Sequence, residues 1–321
     1  MSTYKLVMLP PQSEATRQWA EQVRREVDGV EVVIAKDQEE AMRALPGAAA
    51  AFGSLPPQLL AEADALEWLQ APMAAPPPGY FHEGLVQHPV QVTNFREIYN
   101  DHVAYHAIAL VLALARNLHT YVRQQQRHDY RPDYDPRSVL HLPEATALIV
   151  GVGGIGREIG RVLASFGVRV LGTDARATDV PNVEVHPPGE LDTLLPEADV
   201  VVLTVPHTPE TEGLMGERRF TLMKRTAFLV NVGRGPTVRL DELVDALRSG
   251  EIRGAGLDVF EVEPLPEEHP LWDLPNVLVT PHAAVTGPYL DERRGALFLE
   301  NARRFSSRAP LLNVVDKARW F

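Results

Sequence analysis

The stretch Leu148-Ile149-Val150-Gly151-Val152-Gly153-Gly154-Ile155-Gly156 decides the fold of this chain. Its apolar start reads as a strand covered on both faces, and it runs directly into G-x-G-x-x-G. Residues 157–166 continue as a helix pattern. In such a strand–turn–helix unit Gly151 permits the tight turn, Gly153 lets backbone approach a pyrophosphate, and Gly156 lets helix pack on strand. The helix start at Gly154 and Ile155 offers free N–H groups and a positive dipole end to phosphate. The next strand pattern ends at Asp174, 18 residues beyond Gly156, where a carboxylate would accept hydrogen bonds from the adenosine ribose. A glycine pattern alone is a turn as often as a phosphate site; strand, helix and acid together select the dinucleotide. Asp174 would repel a 2′-phosphate, so NAD(H) is favoured over NADP(H), with Arg176 nearby as the residue that would accommodate a phosphate.

The same alternation extends to both sides. Downstream strand patterns fall at 168–173, 183–185, 200–205, 227–232, 256–259 and 277–280. Upstream ones fall at 5–9, 30–35, 48–52, 66–69 and 90–93, between helices that Ser13 and Asp37 can cap. Residues 73–79 hold three consecutive prolines and form a loop. Residues 100–126 read as one long helix, 127–143 as a polar, proline-marked arm, and 289–306 as the last helix. Strand–helix alternation of this kind implies parallel sheets covered by helices.

Composition narrows the function. The chain has 321 residues, 45% hydrophobic and 23% charged, a globular mixture long enough for two domains. It has no cysteine, which excludes disulfides, thiolate metal sites and Cys nucleophiles, and no metal is expected. The net charge of −12 argues against a nucleic-acid partner. The apolar stretch 103–115 contains His106, stops at Arg116 and is far short of the roughly 20 residues of a membrane span. The N-terminal residues lack a signal-peptide pattern, so a cytoplasmic setting is expected.

Three motifs stand at the carboxyl ends of later strand patterns, where open α/β sheets bind ligands: Asn231-Val232-Gly233-Arg234-Gly235, Asp258-Val259-Phe260-Glu261-Val262-Glu263-Pro264 and Thr280-Pro281-His282-Ala283-Ala284. With DVVVLTVPHTPETEGLM at 199–215 and NVVDK at 313–317, they make the chain resemble the NAD-dependent D-2-hydroxyacid dehydrogenases over nearly its whole length. The resemblance implies a triad of Arg234, Glu263 and His282. Arg234 would hold the substrate carboxylate and polarise the carbonyl. His282 would give a proton to the carbonyl oxygen as hydride arrives, and Glu263 would orient the imidazole. It also implies that Pro206, Val232 and Gly233 join Gly151, Gly153, Gly154, Ile155, Gly156 and Asp174 around the cofactor, with Asp258 on the nicotinamide carboxamide.

The chain departs from the family in three places. The loop whose amides bind the substrate carboxylate corresponds to Met73–Tyr80, where Ala74 and Ala75 offer N–H groups but Pro76, Pro77 and Pro78 offer none. Tyr105 stands where Glu is common, and Ala283-Ala284 where Gly often follows the His. The architecture implied is α/β, with two doubly wound parallel-sheet domains. A Rossmann cofactor domain (99–285) is inserted in a flavodoxin-like substrate domain (1–98 plus 286–321), with the site in the cleft. The reaction implied is hydride transfer from NADH to a 2-oxo acid, glyoxylate and hydroxypyruvate foremost, giving the D-2-hydroxy acid. Alternatives on the same fold are a formate- or phosphite-type dehydrogenase and an NAD(H)-sensing binding protein with little turnover. The 100–126 helix and the arm resemble the family's dimerisation region, so a homodimer is expected. His102 and His106 read as packing or interdomain contacts, and His207 as a neighbour of the cofactor.

Overall fold

The computed structural model describes residues 3–74, 77, 79–176 and 179–318. The chain divides into two compact units, Met1–Ile98 with Pro288–Phe321, and Tyr99–Gly287.

The first unit carries β1 (Tyr4–Met8), β2 (Val30–Ile34), β3 (Ala50–Phe52), β4 (Trp68–Gln70) and β5 (Gln91–Thr93) in one parallel sheet of order β2-β1-β3-β4-β5. That is the flavodoxin-like order. The helix Glu14–Glu26 starts where Ser13 Oγ accepts the Thr16 N–H at 3.1 Å, and Arg24 and Arg25 close it against the dipole. It packs on the helix Leu290–Ser306, and an added Cβ on Gly295 would stand 2.6 Å from the Trp19 ring. Trp68, Phe95 and Phe298 are fully buried between these helices and the sheet.

At the carboxyl end of this sheet the polar groups are paired. Trp68 Nε1 donates to Thr93 Oγ1 at 2.8 Å, and Thr93 donates on to Gln70 Oε1 at 2.7 Å. The next residue, buried Asn94, donates from Nδ2 to the Ala74 carbonyl at 2.8 Å. The loop after β4 is thereby tied to the end of β5.

The second unit carries β6 (Thr146–Val150), β7 (Arg169–Thr173), β8 (Glu184–His186), β9 (Val200–Leu203), β10 (Phe228–Asn231), β11 (Gly254–Leu257) and β12 (Val277–Val279). All pairings are parallel, in the order β12-β11-β10-β9-β6-β7-β8. The order reverses between β6 and β9, the switch point at which doubly wound sheets bind dinucleotides. Strands β9 and β10 are buried along their whole length, which explains their unbroken apolar sequence.

The single helix expected over 100–126 is two helices, Asn100–Ala115 and Leu118–Gln126. The chain breaks at Asn117, which takes a left-handed φ of 55°. Asparagine tolerates that conformation, and here its Nδ2 donates to the Ser138 carbonyl at 2.7 Å. The returning arm also takes the Ala115 carbonyl, through the Leu140 N–H at 2.9 Å. A helical period cannot reveal a break made by a segment more than 20 residues away. Among the described residues no helix is long and apolar enough to cross a membrane.

Candidate active site

The glycine turn after β6 is shaped by close approach. Gly151 has φ 97°, and its carbonyl accepts the Thr204 hydroxyl. A Cβ on Gly156 would lie 2.1 Å from that same carbonyl, so only glycine lets the helix Gly154–Ser165 start against the strand end. Gly153, the residue before this helix, is different: a Cβ there would meet nothing within 4 Å. No side chain caps the helix, so the first-turn N–H groups of a helix start are left for a ligand beside Gly153, while a Cβ on Gly154 would run into the Asn100 side chain. Asp174 lies next to the turn. Its Oδ2 accepts the Val152 N–H and its Oδ1 the Arg176 N–H, both at 2.8 Å. An anion-binding helix start, open room at Gly153 and an acid fixed beside them fit a dinucleotide. Pro206, exposed just after β9, and buried Val232 and Gly233, just after β10, lie on the same sheet edge.

The neighbouring strands β10, β11 and β12 bring the three motifs together at their carboxyl ends. Gly235 is the tightest joint. A Cβ there would lie 1.7 Å from the Phe260 carbonyl, so the Arg234 turn sits directly on the turn that carries Glu263. Thr237 Oγ1 donates to the Arg234 carbonyl at 2.6 Å and Asn231 Nδ2 at 3.2 Å, which fixes the backbone. The guanidinium is half-buried and donates from Nη1 to the Gly233 carbonyl at 2.7 Å. Burial pulls its pKa below the ordinary value, and Tyr99 and Glu263, both close enough to be felt, oppose that. Arginine stays cationic through such shifts. The site therefore holds a permanent cation whose remaining N–H groups make no hydrogen bond among the described residues.

Glu263 and His282 form a dyad. Glu263 Oε1 accepts the Phe260 N–H at 2.9 Å, and Oε2 lies 2.7 Å from His282 Nδ1. A carboxylate can only accept, so Nδ1 carries a proton and Nε2 is left to donate or accept one elsewhere. The imidazole is about half exposed, at 49% of its side-chain surface, and can reach a substrate. His282 also has a φ of 51°, a strained value for a residue with a side chain. Its N–H is held by the Asp258 carbonyl at 2.8 Å and the Thr280 carbonyl at 3.0 Å.

Asp258 is the residue expected on the nicotinamide carboxamide. Its carboxylate is 1% exposed and bonded inward: Oδ1 accepts Thr280 Oγ1 at 2.6 Å and the Ala283 N–H at 2.9 Å, and Oδ2 accepts the Ala284 N–H at 3.0 Å. Ala283 and Ala284 thus present amides to Asp258. Behind this group stands His106, with Nε2 at 2.9 Å from Thr280 Oγ1 and 3.5 Å from Asp258 Oδ1. The sequence held no signal for that contact beyond a histidine on a helix. Asn94 was missed for the same reason. His207 is exposed and pairs with Glu212 at 3.4 Å. Ala74 is held by Asn94, whereas Ala75 lies outside the described residues. Among the described residues no group of three or more His, Asp or Glu could hold a metal ion.

Residues 108–284 match the D-isomer specific 2-hydroxyacid dehydrogenase, NAD binding domain. The chain is 38% identical over 234 residues to the glyoxylate reductase of Korarchaeum cryptofilum, which is 71% of this chain and 70% of that one. It is similar throughout to the D-isomer specific 2-hydroxyacid dehydrogenase of Xanthobacter autotrophicus in complex with NADPH and MES. The TM-score is 0.84 and the identity 29%, over 100% of both chains. The NADPH-dependent glyoxylate/hydroxypyruvate reductase of Sinorhizobium meliloti, in complex with NADP and sulfate, gives 0.79 at 26% identity over 99% of this chain and 100% of that one.

Proposed function

The chain belongs to the D-isomer specific 2-hydroxyacid dehydrogenase family, and we propose that it reduces glyoxylate or hydroxypyruvate to the D-2-hydroxy acid with NADH as coenzyme. It is an oxidoreductase acting on a CH–OH group with a nicotinamide cofactor. The observation that carries the assignment of roles is the 2.7 Å bond between His282 Nδ1 and Glu263 Oε2, next to the half-buried cation of Arg234.

When bound, the reduced nicotinamide supplies the hydride that adds to the carbonyl carbon. Arg234 receives the substrate carboxylate in its fixed fork of donors and draws electron density from the adjacent carbonyl. His282 gives the Nε2 proton to the carbonyl oxygen, so that hydride and proton together convert C=O to CH–OH. Glu263 keeps the imidazole oriented through its bond to Nδ1, which leaves Nε2 toward the substrate. In the oxidative direction the neutral His282 takes the hydroxyl proton.

Residues 99–285 are assigned to the dinucleotide, through Gly151, Gly153, Gly154, Ile155, Gly156, Pro206, Val232 and Gly233, with Asp258 on the nicotinamide carboxamide. Residues 1–98 with 286–321 are assigned to the substrate, through the loop of Ala74 and Ala75. Asp174 favours NADH, because an ionised carboxylate accepts from a ribose diol and repels a 2′-phosphate. The two solved relatives hold NADPH and NADP, and Arg176 is the residue here that would serve such a phosphate. A homodimer accords with the exposed Tyr105, Leu118 and Val122 of the paired helices. A cytoplasmic setting accords with a freely exchanging dinucleotide.

The test is oxidation of NADH and of NADPH, followed at 340 nm, against glyoxylate, hydroxypyruvate, pyruvate and bulkier 2-oxo acids. Glyoxylate or hydroxypyruvate with NADH should give the highest kcat/KM. No turnover of any 2-oxo acid, with tight binding of NADH alone, would remove the reductase reading.

A further inference from the structure

Three residues behind His282 form a directed chain of hydrogen bonds that the proposed chemistry does not use. The buried Asp258 carboxylate accepts from the Ala283 and Ala284 amides at 2.9 and 3.0 Å and from the Thr280 hydroxyl at 2.6 Å. Amides only donate, and a hydroxyl this close to a carboxylate gives its single proton to it. The oxygen of Thr280 is then left as an acceptor. The group facing it is His106 Nε2, at 2.9 Å. The direction of every bond is thereby fixed: His106 Nε2–H donates to Thr280, Thr280 donates to Asp258, and Asp258 accepts from the two residues that follow His282.

This chain ends on a strained backbone. His282 sits at φ 51°, and its own N–H is held by the Asp258 carbonyl at 2.8 Å. Asp258 therefore grips the turn by its carbonyl at position 282 and by its carboxylate at 283 and 284. The carboxylate is 1% exposed, so it depends on protein donors and cannot replace a lost one with bulk water. Without His106 the Thr280 oxygen loses the donor that fixes its rotamer from behind, and the Asp258 carboxylate loses the imidazole 3.5 Å from its Oδ1.

Given the proposed role of His282 as proton donor, we propose that His106 is a positioning residue for the reaction: its Nε2–H fixes Thr280 and Asp258, which hold the His282 turn in its reactive geometry. His106 touches neither substrate nor the reacting atoms in this scheme, so its effect falls on the proton-transfer step. Glutamine at 106 can present an amide N–H near the Nε2 position; leucine cannot.

The experiment compares H106L, H106Q, T280V and H106L/T280V, with H282N as the control for the underlying chemistry, all measured with NADH and glyoxylate or hydroxypyruvate. The reductase assay is accompanied by thermal melts. H106L should lower kcat about ten-fold with KM for the 2-oxo acid changed less than three-fold, the signature of lost transition-state rather than ground-state interaction. H106Q should recover most of the loss. The double variant should be no slower than T280V alone, because both substitutions cut the same chain. Equal impairment of H106L and H106Q, additive losses in the double variant, or unchanged kcat in H106L would each overturn the proposal. If H106L melts early, H106Q and T280V still decide it. H282N separates the two readings: if it keeps turnover, the proton-donor role fails; if it is inactive while H106L is silent, only the role of His106 fails.

Discussion

Asp174 and Asp258 both follow strands of the same sheet, and their surroundings give them opposite work. Each oxygen of Asp174 accepts one backbone N–H, and the side chain is half-buried. Its place beside the glycine turn puts an ionised acceptor where a ribose diol would lie. Asp258 is buried and takes three donors from its own chain, so it builds the turn under His282. In Asp174→Ala, kcat/KM with NADH should fall about ten- to a hundred-fold, the scale of losing bonds to a charged group. NADPH should lose less or gain. The variant also frees the Val152 and Arg176 amides, but that damage acts on both coenzymes and cancels in their ratio. Equal losses with NADH and NADPH would make Asp174 a loop-holding residue only. The gathering of Arg234, Glu263 and His282 at neighbouring strand ends was legible because each stands in a short motif after a strand pattern. His106 was not, because Thr280 is 174 positions away and only the folded chain joins them.

Strand ends and helix breaks are the scale at which sequence patterns succeed and fail for stated reasons. The strands of the described residues were visible in the sequence, most plainly as unbroken apolar runs where both faces are covered, as in β9 and β10. Several came out shorter than their patterns: β3 and β4 begin two residues later than the apolar runs at 48 and 66. Apolar residues continue past a strand into the packed turns, so hydrophobicity marks the core and not the ladder. The 100–126 segment failed the other way, breaking at Asn117 because Ser138 and Leu140 satisfy the freed groups. The two resulting helices leave Tyr105, Leu118 and Val122 at 53, 50 and 52% exposure. Leu118 and Val122, four residues apart on one helix, share a face, and an exposed apolar face is the usual sign of a subunit contact. Light scattering at micromolar concentration should give twice the chain mass of 35.5 kDa, and Leu118→Glu should shift it toward the single chain. A wild-type mass of one chain would refute the dimer.

For the whole molecule, both sheet orders follow from rules that need no side-chain detail. Right-handed crossovers between parallel strands leave few arrangements, and the glycine turn after β6 marks which sheet reverses at the dinucleotide. What no pattern supplied was the inward bonding of Asp258, the Asn94 tie on Ala74 and the Gly235 joint that presses two motifs together. Each depends on distances under 4 Å between segments far apart in the chain. The substrate itself is the least legible feature, because the loop at 73–79 departs from the family's sequence where selectivity is read. The central claim is that His282 donates the proton as a 2-oxo acid is reduced. The most direct test is kcat of His282→Ala with NADH and the best 2-oxo acid, alongside coenzyme binding followed by the fluorescence of bound NADH. Loss of a general acid should lower kcat about 100-fold or more while NADH binding stays within a few-fold of wild type. Turnover near the wild-type rate would contradict it.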